Sequence, residues 1–322
     1  MTDLKLGILL WNQATDWPAY LSAARRIDEL GYDYFWSWDH LYAIFGDPYQ
    51  PIFEGWSSLV GVAGATSRIR LGLLVGANTF RNPGLVAKTA ATLDHVSNGR
   101  AILGIGGAWM EPEHQAHGID FGSGFGQRLD WLDESAGAIR ALLDGEEVTS
   151  APGGHYAFDH VRHQPPPIQA HLPIMIGGSG EKKTLRTVAR YADLWNAIGP
   201  VDVMRHKIEV LRQHCEDVGR DPAAIEFTLG IKATIRDSEA EADKVWKAAM
   251  EHNRTPLANV ADDTSFWNGT AEHLAEKLGP YVELGFHTVI SEQPAPYDTE
   301  TLERLIGEVK PLVGVKPLVE AG

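Results

Sequence analysis

Cysteine is almost absent: Cys215 is the only one in 322 residues. A single thiol excludes an intramolecular disulfide and any Cys-pair redox or metal motif. Positive charge is also scarce, with 28 Lys and Arg against 43 Asp and Glu and a net charge of −15. That balance argues against nucleic acid or an anionic membrane as a partner. No apolar run approaches the length of a membrane span, and the opening MTDLKLGILLW lacks the layout of a signal peptide. A cytoplasmic protein is the expectation. Also missing are a Walker loop, a Gly-x-Ser-x-Gly elbow and a dinucleotide fingerprint.

Apolar residues and glycine, by contrast, are plentiful. The chain is 44% hydrophobic with 33 Gly and 18 Pro, enough to build a well-buried globular protein. The most informative stretch is 173–196, PIMIGGSGEKKTLRTVARYADLWN. Its Pro-Ile-Met-Ile run reads as a buried strand, and Gly177-Gly178-Ser179-Gly180 follows. A helix beginning at once carries Leu185, Val188, Ala189 and Ala192 at helical spacing, and a second strand opens at Leu194. Strand, glycine loop, helix and strand make a parallel crossover. Glycines let backbone approach a ligand, and a helix N-terminus favours an anion, most often a phosphate. Ser179 adds a hydroxyl; Lys182, Lys183 and Arg186 add charge. An ordinary tight strand-to-helix turn would read the same way in isolation.

Elsewhere the same alternation repeats. Strands are expected at 4–11, 32–38, 69–75, 101–105, 173–176, 194–198, 225–235 and 288–292. Helices are expected at 17–30, 54–66, 82–96, 127–143, 202–218, 239–251, 270–284 and 298–313. Eight strand–helix pairs without a composition break predict an α/β fold, a single (β/α)8 TIM barrel over 1–322. Inserted segments fall around 111–126, 148–167 and 253–269, the second read as a short hairpin and the third as irregular.

In such a barrel, chemistry sits at the C-terminal ends of the strands. Those ends are Trp11-Asn12, Asp39-His40, Val75-Gly76, Gly106-Gly107, Gly177-Gly178, Asn196, Lys232 and Glu292. Asp39-His40 places a carboxylate beside an imidazole, and histidine is the usual proton carrier near neutral pH. Gly106-Gly107-Ala108 is a second place where backbone can approach a flat ligand, and Trp109 offers a stacking face. Glu111, Glu113, His114 and His117 cluster without a recognisable ligand frame and read as a solvated loop. His155, His160 and His163 in the inserted hairpin read the same way, so no metal site is expected.

Three segments together resemble one family: SWDHL at 37–41, RIRLGLLVGANTFRNPGLVAKTAATLDHVSNGRAILGIGGAW at 68–109, and the 173–196 stretch. The chain resembles the bacterial luciferase-like flavin and deazaflavin oxidoreductases, and more closely their coenzyme F420-dependent branch. The resemblance implies a ring system at the strand ends, resting on a third-strand bulge at Leu74-Val75 beside Gly76, with a non-proline cis peptide there. It implies a phosphate in the loop from Gly177 to Gly180, Asp39 and His40 beside the ring, and a homodimer. Relatives that oxidise a sugar phosphate carry an acidic residue shortly after the fourth-strand glycines, where this chain has Trp109.

The resulting expectation is an F420-dependent oxidoreductase moving a hydride to or from a small organic substrate. His40 would handle the accompanying proton, and Asp39 would bond the cofactor or orient the site. Lys182 and Lys183 would meet the anionic oligoglutamate tail. The alternatives are an FMN-dependent monooxygenase using oxygen and a flavin-binding barrel without catalysis.

Overall fold

The computed structural model describes residues 4–314. Its strands are β1 (Lys5–Leu10), β2 (Tyr34–Ser37), β3 (Arg70–Leu73), β4 (Gly76–Ala77), β5 (Leu103–Gly106), β6 (Ile174–Gly177), β7 (Leu194–Ala197), β8 (Glu226–Ile235), β9 (Phe266–Gly269) and β10 (Thr288–Gln293). They run in the order β3-β2-β1-β10-β8-β7-β6-β5-β4, with β9 added outside on β8. Every pairing between them is parallel. A bridge between Leu71 and Ala101 closes the ring, and Ile102 N donates to Leu71 O at 2.9 Å. This is a parallel barrel with helices around it, as the alternation predicts.

Both faces of these strands are buried, which is why they read as nearly continuous apolar runs. Along β1, Leu6, Ile8 and Leu10 face the helices, while Leu9 and Trp11 join Trp36, Trp38, Ile102, Met175 and Ile290 inside the ring. Trp36 fills so much of the interior that its neighbours must lack side chains. A Cβ on Gly7 would lie 3.1 Å from its indole nitrogen, and one on Gly72 2.8 Å from its ring carbon Cζ3.

Local chemistry sets the helix ends. Asp16 caps helix Trp17–Leu30 by accepting from Ala19 N, and Gly31 ends it at φ 85°. Asn82 caps helix Pro83–Ser97 by accepting from Gly84 N, and Asn98 closes it in the left-handed region. The N-terminal mouth of the barrel is plugged by one carboxylate. Glu226 takes bonds from Lys5 Nζ at 2.5 Å, Tyr34 Oη at 2.9 Å and Thr288 Oγ1 at 2.7 Å.

The third strand breaks at the bulge the resemblance implies: β3 stops at Leu73, the Leu74–Val75 peptide is cis as expected, and pairing resumes in β4. Three departures from the sequence reading matter. The segment 111–126 is not simply a loop, because Glu111–His117 is a helix ended by Gly118 in the left-handed region. The segment 253–269 finishes as β9. The final helix over 298–313 is interrupted by a π-turn at Leu305–Val309. The inserted segment 148–167 is held by an antiparallel bridge between Val148 and Val161.

Candidate active site

Beyond β2 the chain crosses the C-terminal rim of the barrel as Trp38-Asp39-His40. The Asp39 carboxylate is 1% exposed. It accepts a bidentate pair from Arg81 Nη1 and Nη2, at 2.7 and 2.9 Å, and a third bond from Ala77 N at 2.9 Å. Arg81 also reaches Glu54 at 2.6 Å, and Glu54 in turn caps helix Gly55–Ala63. Burial disfavours the Arg81 charge, but the two carboxylates outweigh it and hold its pKa above the ordinary value. Asp39 therefore clamps the β4 segment onto the rim, with both of its oxygens bonded to protein.

His40 turns the other way, and its Nδ1 lies 2.9 Å from Glu113 Oε1. Glu113 is 1% exposed, and its second oxygen accepts from Leu41 N at 2.8 Å and Tyr42 N at 3.4 Å. Burial alone would raise this carboxyl. The His40 bond and the two amides outweigh burial and hold it below the usual carboxylate range. An ionised carboxylate at Nδ1 selects the tautomer with its proton there, which leaves Nε2 to exchange a proton with a ligand. The edge of Trp109 stands against His40, with ring centroids 5.4 Å apart.

The solvated-loop reading of Glu111, Glu113, His114 and His117 is thus overturned for its two middle members. His114 is wholly buried, bonded to Thr79 Oγ1 at 2.6 Å and Met110 O at 2.8 Å, and packed between Phe80 and Phe121. Burial depresses its pKa. Among the described residues no group of His, Cys, Asp and Glu is arranged to hold a metal ion.

The floor between these walls is built by Val75 lying against glycines. A Cβ on Gly106 would sit 2.7 Å from Val75 Cγ2, and one on Gly177 3.0 Å from the same atom. On β5, a Cβ on Gly104 would come within 1.8 Å of Leu73 O. Gly104 and Gly106 are there because the interrupted third strand presses directly on β5.

A cavity of about 380 Å³ opens above this floor. Of the residues singled out from sequence, Asp39, His40, Leu74, Val75, Gly76, Gly106, Gly107, Ala108, Trp109, Gly177 and Gly178 line it. Lys232 on β8 and Glu292 on β10 line it too. Ser179, Gly180 and Lys182 lie outside the lining.

The glycine loop is pinned at one end: Gly178 N donates to Asn196 O at 3.1 Å, and Trp195 Nε1 donates to Gly178 O at 2.8 Å. The amides of Ser179, Gly180 and Glu181 have no protein partner among the described residues. The helix does not begin at once; a turn over 181–183 precedes helix Thr184–Tyr191. Lys182 is exposed. Lys183 is engaged by Asp130 at 2.7 Å and by Gly126 O at 2.9 Å, so its charge faces an acid and not an open groove.

The Glu113–His40 and Arg81–Asp39 partnerships escaped the sequence reading because the partners lie 73 and 42 residues apart. One local signal was present. Pro112 with Glu111 and Glu113 in a first turn, and Gly118 beyond, mark a short helix rather than a loop.

The model of the luciferase-like monooxygenase family matches residues 7–288. An uncharacterized protein of Mycobacterium tuberculosis is 35% identical over 187 residues, 58% of this chain and 64% of that protein. The phthiodiolone/phenolphthiodiolone dimycocerosates ketoreductase of the same species is 30% identical over 217 residues, 61% of this chain and 55% of the ketoreductase. The chain spans less than two thirds of both relatives.

Among solved structures, an F420-dependent secondary alcohol dehydrogenase superposes with a TM-score of 0.82 at 18% identity, covering 97% of this chain and 99% of that one. The coenzyme F420-dependent tetrahydromethanopterin reductase of Methanopyrus kandleri gives 0.78 at 18% identity, covering 96% and 99%. The FMN-bound oxygenating constituent of 3,6-diketocamphane monooxygenase from Pseudomonas putida gives 0.71 at 16%, covering 96% and 98%. At such identities the likeness is one of fold.

Proposed function

The chain belongs to the luciferase-like monooxygenase family, and on that premise we propose that it moves a hydride between coenzyme F420 and a small organic ketone or alcohol. The observation that carries this reading is the His40–Glu113 pair on the wall of a cavity floored by Val75. A proton carrier on a rigid rim beside a flat, glycine-lined floor suits a reaction that transfers a hydride and a proton together.

The residues present fit the cofactor. A flat ring would rest on Val75 where Gly106 and Gly177 keep the floor clear, and the unpartnered amides of Ser179, Gly180 and Glu181 would take its phosphate. When bound, F420 supplies or accepts the hydride. Glu113 holds the His40 ring and its tautomer, so Nε2 delivers a proton to a nascent alkoxide or removes one from an alcohol. Asp39 and Arg81 fix the strand ends around the ring. Trp109 shields His40 from bulk water on one side.

Titrating the protein with F420 and, separately, with FMN while following ligand fluorescence tests the reading. Tight binding of F420 with weak binding of FMN is expected. The reverse preference would replace the hydride-transfer reading with that of an FMN-dependent oxygenase.

A further inference from the structure

On the cavity wall away from His40, β8 and β10 place two charged side chains side by side. Glu292 is buried, and one oxygen accepts from Trp11 Nε1 at 3.1 Å. Its other oxygen, Oε1, has Lys232 Nζ as its salt-bridge partner at 3.9 Å, beyond hydrogen-bond reach. Lys232, with its side chain 10% exposed, donates to Ser265 Oγ at 2.7 Å and Asp263 Oδ2 at 3.1 Å. An ammonium group has three N–H donors. Two are engaged, and the third remains beside Glu292 Oε1. The pairing of β8 with β9 holds this arrangement, because Lys232 stands opposite Phe266 in register and lies over its ring at 5.1 Å.

We propose that Lys232 and Glu292 form a subsite for a hydroxyl group on a neutral substrate, remote from the carbon that exchanges the hydride. This rests on the ketone-or-alcohol reading above and narrows it. A hydroxyl oxygen between the two groups accepts from Lys232 Nζ and donates to Glu292 Oε1, since a hydroxyl can do both. A carbonyl can only accept, and an ammonium can only donate. A carboxylate or phosphate would set its charge against Glu292, with Asp263 behind it. Burial already pushes the Glu292 carboxyl up, so a further negative charge there is opposed.

In the sheet, β10 is two strands from β2, the strand beyond whose C-terminal end His40 stands. That separation is about 10 Å along the sheet at one strand spacing of roughly 4.8 Å. The preferred substrate therefore carries its reacting carbonyl at one end of an apolar body and a hydroxyl at the other.

A matched set of probes tests this: 4-phenylbutan-2-one, its para-hydroxy derivative and its para-carboxylate. Binding of each to the full chain is measured by calorimetry in the wild type, Glu292→Gln and Lys232→Met. The hydroxy ketone should bind about tenfold tighter than the plain ketone in the wild type, the gain of one well-placed hydrogen bond. That advantage should vanish in Lys232→Met and shrink in Glu292→Gln, where the carboxylate probe should be tolerated better. Glu292→Gln is nearly isosteric and serves alone if Lys232→Met does not fold.

Equal binding of the hydroxy and plain ketones by the wild type overturns the proposal, as does an advantage that survives in both variants. Tightest binding of the carboxylate, or no binding of any probe, overturns it too. F420 titration separates the two readings. Failure of the probes with F420 binding intact removes only the subsite, and discrimination among probes without F420 binding removes only the cofactor assignment.

Discussion

At the scale of single residues, the proposed mechanism divides one task between His40 and Glu113. Replacing His40 with Ala should lower turnover by roughly 10²–10⁴ while the F420 dissociation constant changes little. If affinity falls and turnover per bound cofactor survives, His40 is a binding residue. Glu113→Gln should lower kcat with KM nearly unchanged, because it loosens the imidazole without touching substrate. Glu113 also carries a stability signature. Its folded pKa lies below the ordinary carboxylate value, so its contribution is present above an unfolded pKa of about 4.3 and is lost as pH falls through the lower folded value. Urea unfolding of wild type and Glu113→Gln from pH 7 to pH 3 should show a gap that is constant near neutrality and closes in acid. A gap that widened in acid would reverse that sign.

At the scale of elements, the glycines of β5 are the sharpest test of how the floor is made. Gly104→Ala would drive a methyl group into Leu73 O. It should destabilise the fold by about 1–3 kcal/mol or more, visible as a lowered Tm. Gly177→Val should leave the fold closer to intact but displace Val75 and weaken cofactor binding; unchanged affinity in a folded variant would remove the floor from the argument. This is also the scale at which the sequence was most readable. Strand–helix alternation, Asn82 as a cap and Gly31 as a stop are local signals, and the barrel followed from them. The Asp39–Arg81 and His40–Glu113 pairs were not readable, because nothing local in a chain encodes which distant side chain a rim residue will meet. The interruption of the third strand showed in the sequence only through the resemblance. Its physical trace is glycine: Gly106 and Gly177 looked like ligand-binding signals and proved also to be steric relief for Val75, and Gly104 gives the same relief to Leu73.

At the scale of the whole molecule, net charge and local charge oppose each other. On the proposed reading a protein of net charge −15 would repel an anionic cofactor tail, and Lys182, exposed beyond the cavity lining, would offset this locally. Lys182→Ala should weaken F420 binding more at low salt than at high salt, since screening removes exposed ion-pair contributions. A salt-independent loss would mean that the lysine acts by packing. The barrel itself is unevenly sewn. β1 and β10 pair over six residues, whereas β4 and β5 pair over two, and among the described residues the ladder between β3 and the segment leading into β5 is a single bridge, Leu71–Ala101. The ring therefore has a seam, and the candidate floor lies along it. A molecule lying across Val75, Gly106 and Gly177 would act as a clasp on that seam. Amide hydrogen exchange should then slow on cofactor binding at Asn78 and Ile102, whose N–H groups bond across it, while the β1–β10 amides, already deeply protected, keep their rates.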